Sequence, residues 1–117
     1  MEKIEKLVGK CPYVTAQKVL SGKWSLLILH YISEKTLRFN ELQRLMPDLT
    51  QATLTRQLRA LEENGLILRK VYHQVPPKVE YSLTEIGSEF NEVLEKLEVW
   101  GKKYINYSRN KKLQDTF

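Results

Sequence analysis

The chain is poor in the residues from which catalytic and cofactor sites are built. It has a single cysteine, Cys11, so it forms no intrachain disulfide and carries no paired-cysteine redox or metal motif. Its two histidines, His30 and His73, fall in unrelated stretches and leave no metal-ligand spacing. The five glycines are scattered and form no phosphate-cradling loop. No apolar run approaches the ~20 residues of a membrane-spanning helix. Met1–Lys10 is charged and lacks the apolar centre of a signal peptide. These absences point away from an enzyme, a bound cofactor, a metal site or a membrane partner. They favour a cytoplasmic protein, where a free thiol stays reduced unless it serves as a sensor.

What is present is enough length for one domain over residues 1–117, 42% hydrophobic residues and a net charge of +5. A basic balance favours polyanions, nucleic acid first and an acidic membrane surface second. The charge is unevenly placed. Lys and Arg outnumber Asp and Glu across residues 35–80, whereas 84–98 carries Glu85, Glu89, Glu92, Glu95 and Glu98 against Lys96 alone. A membrane-surface helix would line its apolar face with lysines, and no segment has that pattern.

The order of elements follows from local signals. Pro12 suits the first position of a helix running to about Leu20 and stopping at Gly22. Lys23–Glu34 is apolar nearly all round and reads as a buried central helix. Phe39–Met46 is a short helix ended by Pro47, and Thr50 caps a helix over Gln51–Asn64 that Gly65 closes. The period then changes to that of strands at Leu66–Tyr72 and Val79–Leu83. Between them, Pro76 and Pro77 mark a hairpin loop with a stiffened tip. Thr84 caps one long last helix with its glutamates early and Lys102, Lys103 and Arg109 later, the order the helix dipole favours. Asn110–Phe117 reads as a tail.

This order predicts a mostly α fold with a small two-stranded β wing (α+β), the winged helix–turn–helix arrangement. Residues 12–21 would form a dimer or core helix, 39–64 the helix–turn–helix, 66–83 the wing and 84–107 a dimerisation helix.

Leu54, Leu58 and Leu61 recur at helical spacing and require burial of one face of the third long helix. The opposite face carries Ala52, Arg56, Arg59 and Glu63, with Gln51, Thr53 and Thr55 on the flanks. A helix enters the major groove with its N-terminal residues at the base edges. Arg pairs with guanine, Gln with adenine, and Ala or a Thr methyl meets the thymine methyl, so Gln51, Ala52, Thr55 and Arg56 are suitable readers. Thr50 and the helix N-terminus offer a phosphate site. The wing adds Lys78 as a phosphate contact, with His73 and Gln74 within reach of the backbone or minor groove. Arg38 either holds phosphate or forms a surface pair with Glu41. A solvated polar helix face and a plain rigid turn remain the bland alternatives, as does a winged helix serving protein–protein contact without DNA.

The last helix carries an apolar stripe of Phe90, Val93, Leu94, Leu97, Trp100 and Tyr104 that outruns the small domain beneath it. Such a stripe implies a partner, here a second copy, whose paired recognition helices would meet a palindromic operator. Cys11, beside a helix start, is a candidate sensor or simply a buried small hydrophobe.

These residues resemble one family. Cys11-Pro12, Gly22-Lys23-Trp24, Leu27-Ile28-Leu29, Arg38-Phe39-Asn40-Glu41-Leu42, Leu54-Thr55, Gln57-Leu58-Arg59, Leu61-Glu62 and Gly65-Leu66 match the HxlR-type regulators, relatives of the MarR winged helices. The most specific stretch is Val75-Pro76-Pro77-Lys78-Val79-Glu80-Tyr81-Ser82-Leu83-Thr84, followed by Gly87 and Trp100-Gly101. The resemblance covers about residues 11–105. It implies a homodimeric DNA-binding regulator, often a repressor, whose first and last helices build the dimer. It also implies that the cysteine matching Cys11 responds in some members to oxidants, quinones or aldehydes. Ser21 stands where glycine is usual. Ala52 replaces a basic residue common on the recognition helix, which implies a different operator. Sensor members often carry a second thiol; this chain has none, so oxidation would join Cys11 to another molecule's thiol.

Overall fold

The computed structural model describes residues 3–116. A 3-10 turn at Ile4–Leu7 leads into α1 (Pro12–Val19), α2 (Ser25–Glu34), β1 (Leu37–Arg38), α3 (Phe39–Leu45) and α4 (Gln51–Glu63). Then follow β2 (Ile67–Tyr72), β3 (Lys78–Leu83), α5 (Glu85–Glu89) and α6 (Asn91–Thr116).

Local chemistry sets these boundaries. Cys11 is the N-cap residue of α1, with Pro12 just inside the helix. Thr50 Oγ1 accepts from the Thr53 N–H at 3.1 Å, and Thr84 Oγ1 from the Gly87 N–H at 3.1 Å, so each satisfies one free amide of a helix start. Gly65 takes φ +76° after α4. The Gly65 N–H then bonds the Glu62 carbonyl (2.9 Å) and the Leu66 N–H that of Leu61 (3.0 Å), a helix stop that only a residue without a Cβ adopts cheaply.

The sheet has three strands in the order β1-β3-β2, both neighbours antiparallel to β3. The sequence pattern predicts only the β2–β3 hairpin. A two-residue strand such as β1 is too short to show alternation, and it exists because Leu37 is buried opposite Tyr81. Across β3, Glu80 faces Arg38 on one side and Lys70 on the other, while Tyr81 faces Leu37 and Arg69.

The core joins Ile28, Leu29 and Ile32 of α2 to Leu42 and Met46, to Leu54, Leu58 and Leu61 of α4, and to Ile67 and Tyr81 of the sheet. The central helix is not buried all round as its composition predicts. Only its Ser25, Ile28, Leu29, Ile32 face is enclosed, and Leu26 and Leu27 are exposed. A helix of ten residues cannot be enclosed on every side by so few neighbouring elements within one chain.

The last helix also differs from expectation. It breaks at Phe90, where the Phe90 N–H bonds the Gly87 carbonyl three residues back (3.2 Å), a tighter turn than the α-helical one. The cause lies in packing. A Cβ on Gly87 would collide with the Leu66 carbonyl, so α5 sits directly on the end of the α4–β2 connection, and Phe90 turns onto the core. From Asn91 the chain runs as one helix to Thr116, so the expected tail is helical; Phe117 lies outside the described residues.

Leu58 is almost wholly buried at the centre of this core. Leu58→Ala removes its contacts and leaves a cavity, and is expected to lower unfolding free energy by about 2–5 kcal/mol in urea denaturation.

Candidate nucleic-acid interface

Burial of Leu54, Leu58 and Leu61 fixes the rotation of α4, so its opposite face is presented to solvent. Gln51, Ala52, Thr55, Arg56, Arg59 and Glu63 lie together along one open face of the helix. Gln51, Ala52, Arg56 and Arg59 are exposed and Thr55 is half-buried. Thr53 belongs to the cap rather than to the open face. Its N–H and hydroxyl engage Thr50, and its oxygen accepts from Arg56 Nη2 at 3.3 Å. That contact holds the Arg56 guanidinium near the helix N-terminus, on the side where base edges would lie.

The wing differs in detail from expectation. Lys78 is not a free cationic arm. Its Nζ lies 2.7 Å from Glu80 Oε1 and 4.7 Å from the centre of the Tyr72 ring. Tyr72 O–H donates to Glu80 Oε2 at 3.2 Å, and Lys70 covers the same ring at 4.8 Å. The Lys78 hydrogen bond holds the Glu80 carboxyl below the usual carboxylate range; partial desolvation opposes this, and the Tyr72 hydroxyl and the charges of Lys78 and Arg38 add to it. Arg38, Lys70 and Lys78 thus surround one carboxylate on the outer side of the sheet, and the group remains net positive. Arg38 does not pair with Glu41 through its side chain. Its backbone N–H donates to Glu41 Oε1 at 2.9 Å, while the ion pair of Glu41 is with Lys35 at 4.0 Å. His73 and Gln74 stand exposed in the loop before the cis Val75–Pro76 bond.

Arg69 and Lys70 are further cations of the wing; in the sequence they show only the pattern of a strand, and the detectable signal is a pair of cations in a segment otherwise apolar. In the fold, Arg69 shares a hollow with Thr55 and Arg59 of α4.

The apolar stripe of the last helix divides in two. Phe90 and Leu94 pack on the core of their own chain. Val93, Leu97, Trp100 and Tyr104 are exposed, with Trp100 stacked on Tyr104 at 5.4 Å between ring centres. Cys11 is half-buried at the start of α1, and its side chain makes no capping bond. Among the described residues no group of three or more His, Cys, Asp or Glu is placed to hold a metal, and no helix is long and apolar enough to cross a membrane.

Comparison with known proteins decides the family. The profile of the HxlR-like helix-turn-helix family matches residues 19–109. The chain belongs to the HxlR-like helix-turn-helix family. The HTH-type transcriptional regulator YdeP of Bacillus subtilis is 48% identical over 94 residues, covering 80% of this chain and 73% of its own. The solved structure of the redox regulator HypR in its reduced form is 40% identical, with a TM-score of 0.81, and covers 86% of this chain and 99% of that one. The oxidized form is matched at 44% identity and TM-score 0.74, covering 80% and 96%. The crystal structure of the HTH-type regulator ytcD is matched at 46% identity and TM-score 0.78, covering 82% and 98%. The winged-helix architecture, the DNA-binding helix–turn–helix and the role in transcription regulation follow from this membership, and the relatives are regulators rather than enzymes.

In this HxlR-family chain the Glu80 cluster ties the two wing strands together. A depressed carboxylate stabilises the folded state above its unfolded-state pKa, and that contribution is lost as pH falls through the lower folded value. Glu80→Gln is therefore expected to lower the melting temperature at pH 7, and the gap to the parent should close in melts taken well below the ordinary glutamate range.

Proposed function

We propose that this HxlR-family regulator is a homodimeric repressor that occupies a palindromic operator through two copies of α4. The chain from 1 to 117 acts as one winged-helix unit, with DNA as its target and hence the cytoplasm as its place of action. The observation that carries this reading is the open face of α4, where Gln51, Ala52, Thr55 and Arg56 lie together at the N-terminal half of a helix fixed by three buried leucines. Those residue types match adenine, the thymine methyl and guanine. Thr50, the α4 N-terminus and Arg38 supply backbone contacts, and His73, Gln74 and Lys78 place the wing beside them. With its Glu80 and Tyr72 partners, Lys78 contributes as part of a net positive cluster.

The partner is a second copy. Val93, Leu97, Trp100 and Tyr104 expose apolar surface along a helix that packs within the chain on α2 and α5. With Tyr13 on α1 and Leu26 and Leu27 on α2 also exposed, the apolar surface exceeds what a solitary small domain tolerates. Two-fold pairing sets the α4 helices about 34 Å apart, one turn of DNA.

In analytical ultracentrifugation the parent is expected to sediment as a dimer. On an operator recovered by genome-wide pull-down, Arg56→Ala should remain dimeric and lose about 1–3 kcal/mol of specific affinity. A monomeric parent refutes the assembly, and an Arg56→Ala variant with parental affinity refutes the reading helix.

A redox response has its own support. The Cys11 thiol is half-buried, free of a capping bond, and beside the positive end of α1. HypR, solved in oxidized and reduced forms, shares 40–44% identity with the chain. With one cysteine per chain, the oxidation joins Cys11 to the thiol of another molecule, giving up two protons and two electrons to the oxidant. Diamide is expected to change operator affinity in the parent and to leave Cys11→Ser unaffected. An equal response in Cys11→Ser would remove this thiol from the mechanism.

A further inference from the structure

The hollow between α4 and the sheet is walled by Phe39 of α3, Thr55, Arg59 and Glu62 of α4, Arg69 of β2, and Val79 and Tyr81 of β3. Arg69 pairs across the strands with Tyr81, so it occupies the face of the sheet that turns toward the core, in a row with Leu37 and Tyr81. A charged side chain at such a position must reach the rim of the sheet, and here the rim meets α4 at Arg59. Among the described residues neither guanidinium has an ion pair or a hydrogen bond. Glu62 is the one carboxylate in the hollow and lies beyond ion-pair distance of both, so the hollow carries two positive charges against one negative. Both cations thus line one hollow without an ion pair of their own, and its single carboxylate leaves an excess of one positive charge.

We propose that this hollow seats one DNA backbone phosphodiester, clamped between Arg59 of the recognition helix and Arg69 of the wing. Its net charge of +1 matches the single negative charge of a phosphodiester. Its position also favours the backbone over the bases. Arg59 lies eight residues along α4 from Gln51, about 12 Å further up the axis, away from the N-terminal end that meets base edges. A guanidinium presents a planar fork of donors suited to phosphate oxygens. Arg69 therefore fixes how deeply α4 enters the groove and carries no sequence information itself.

This inference rests on the DNA-binding reading and is tested apart from it. The full chain is titrated against a fluorescein-labelled duplex of arbitrary sequence between 50 and 200 mM NaCl. Arg69→Gln is expected to weaken binding about tenfold and to reduce the slope of log affinity against log salt by about 0.9, the loss of one phosphate contact. Arg69→Lys keeps the charge without the fork, and should retain the parental slope with an intermediate affinity. Failure of the parent to bind any duplex would overturn the DNA-binding reading itself. A binding parent with an unchanged slope in Arg69→Gln would overturn only the phosphate seat. A slope that falls equally in Arg69→Lys would also overturn it, because a residue needed for packing alone gives that result.

Discussion

Leu54, Leu58 and Leu61 anchor α4 against α2, α3 and the sheet, and the rest of the molecule depends on that anchorage. A helix buried along one stripe has its rotation set to within a fraction of a turn. The residues opposite the stripe then share an orientation without any contact among themselves. Thr50 fixes where the helix begins and the Gly65 stop fixes where it ends, so depth and length are set as firmly as rotation. A helix that presents one face to a partner needs little more from its own sequence, because its apolar side sets how that face is presented.

The sheet extends this control sideways. β3 lies between β1 and β2, and its alternation sends Tyr81 into the core and Glu80 outward. On the outer side Glu80 gathers Lys78, Tyr72, Lys70 and Arg38. One carboxylate among several cations lowers their mutual repulsion and leaves the group positive, which suits a surface that lies beside a polyanion. On the inner side Arg69 emerges beside α4 with no such partner. The hairpin thus presents a paired cation, Lys78 of β3, on its outer face and an unpaired one, Arg69 of β2, on its inner face.

The two ends of the chain answer a different demand. Gly87 allows α5 to sit on the Leu66 carbonyl, and Phe90 and Leu94 complete the core. Beyond them α6 continues for several turns with Trp100 and Tyr104 exposed and stacked on each other. Apolar surface carried this far from its own core gains nothing in an isolated chain. Under the proposed assembly a second copy covers it, and dimerisation is then linked to the spacing of the two α4 helices.

Much of this was legible in the residues. Helical spacing of leucines, Thr50, Gly65 and Thr84 located α4, the hairpin and the start of the last helix, because caps and periodicity are local properties of the chain. The prolines of the wing loop and the motif from Val75 to Thr84 were equally plain. Other features depend on distant neighbours. β1 is too short for periodicity and owes its existence to pairing with β3. The break at Phe90 follows from the contact between Gly87 and Leu66. The exposure of Leu26 and Leu27 reflects how few elements surround α2. Lys78 read as a free arm until Glu80 and Tyr72 closed around it, and Arg69 read as strand alternation until Arg59 appeared across the hollow. The sequence by itself determined the long helices, the wing hairpin and the apolar stripe that orients α4, since those depend on residues a few positions apart. Only the tertiary structure decided which cations are neutralised and which are left for a partner, because charge pairing is set by distances between elements remote in the chain.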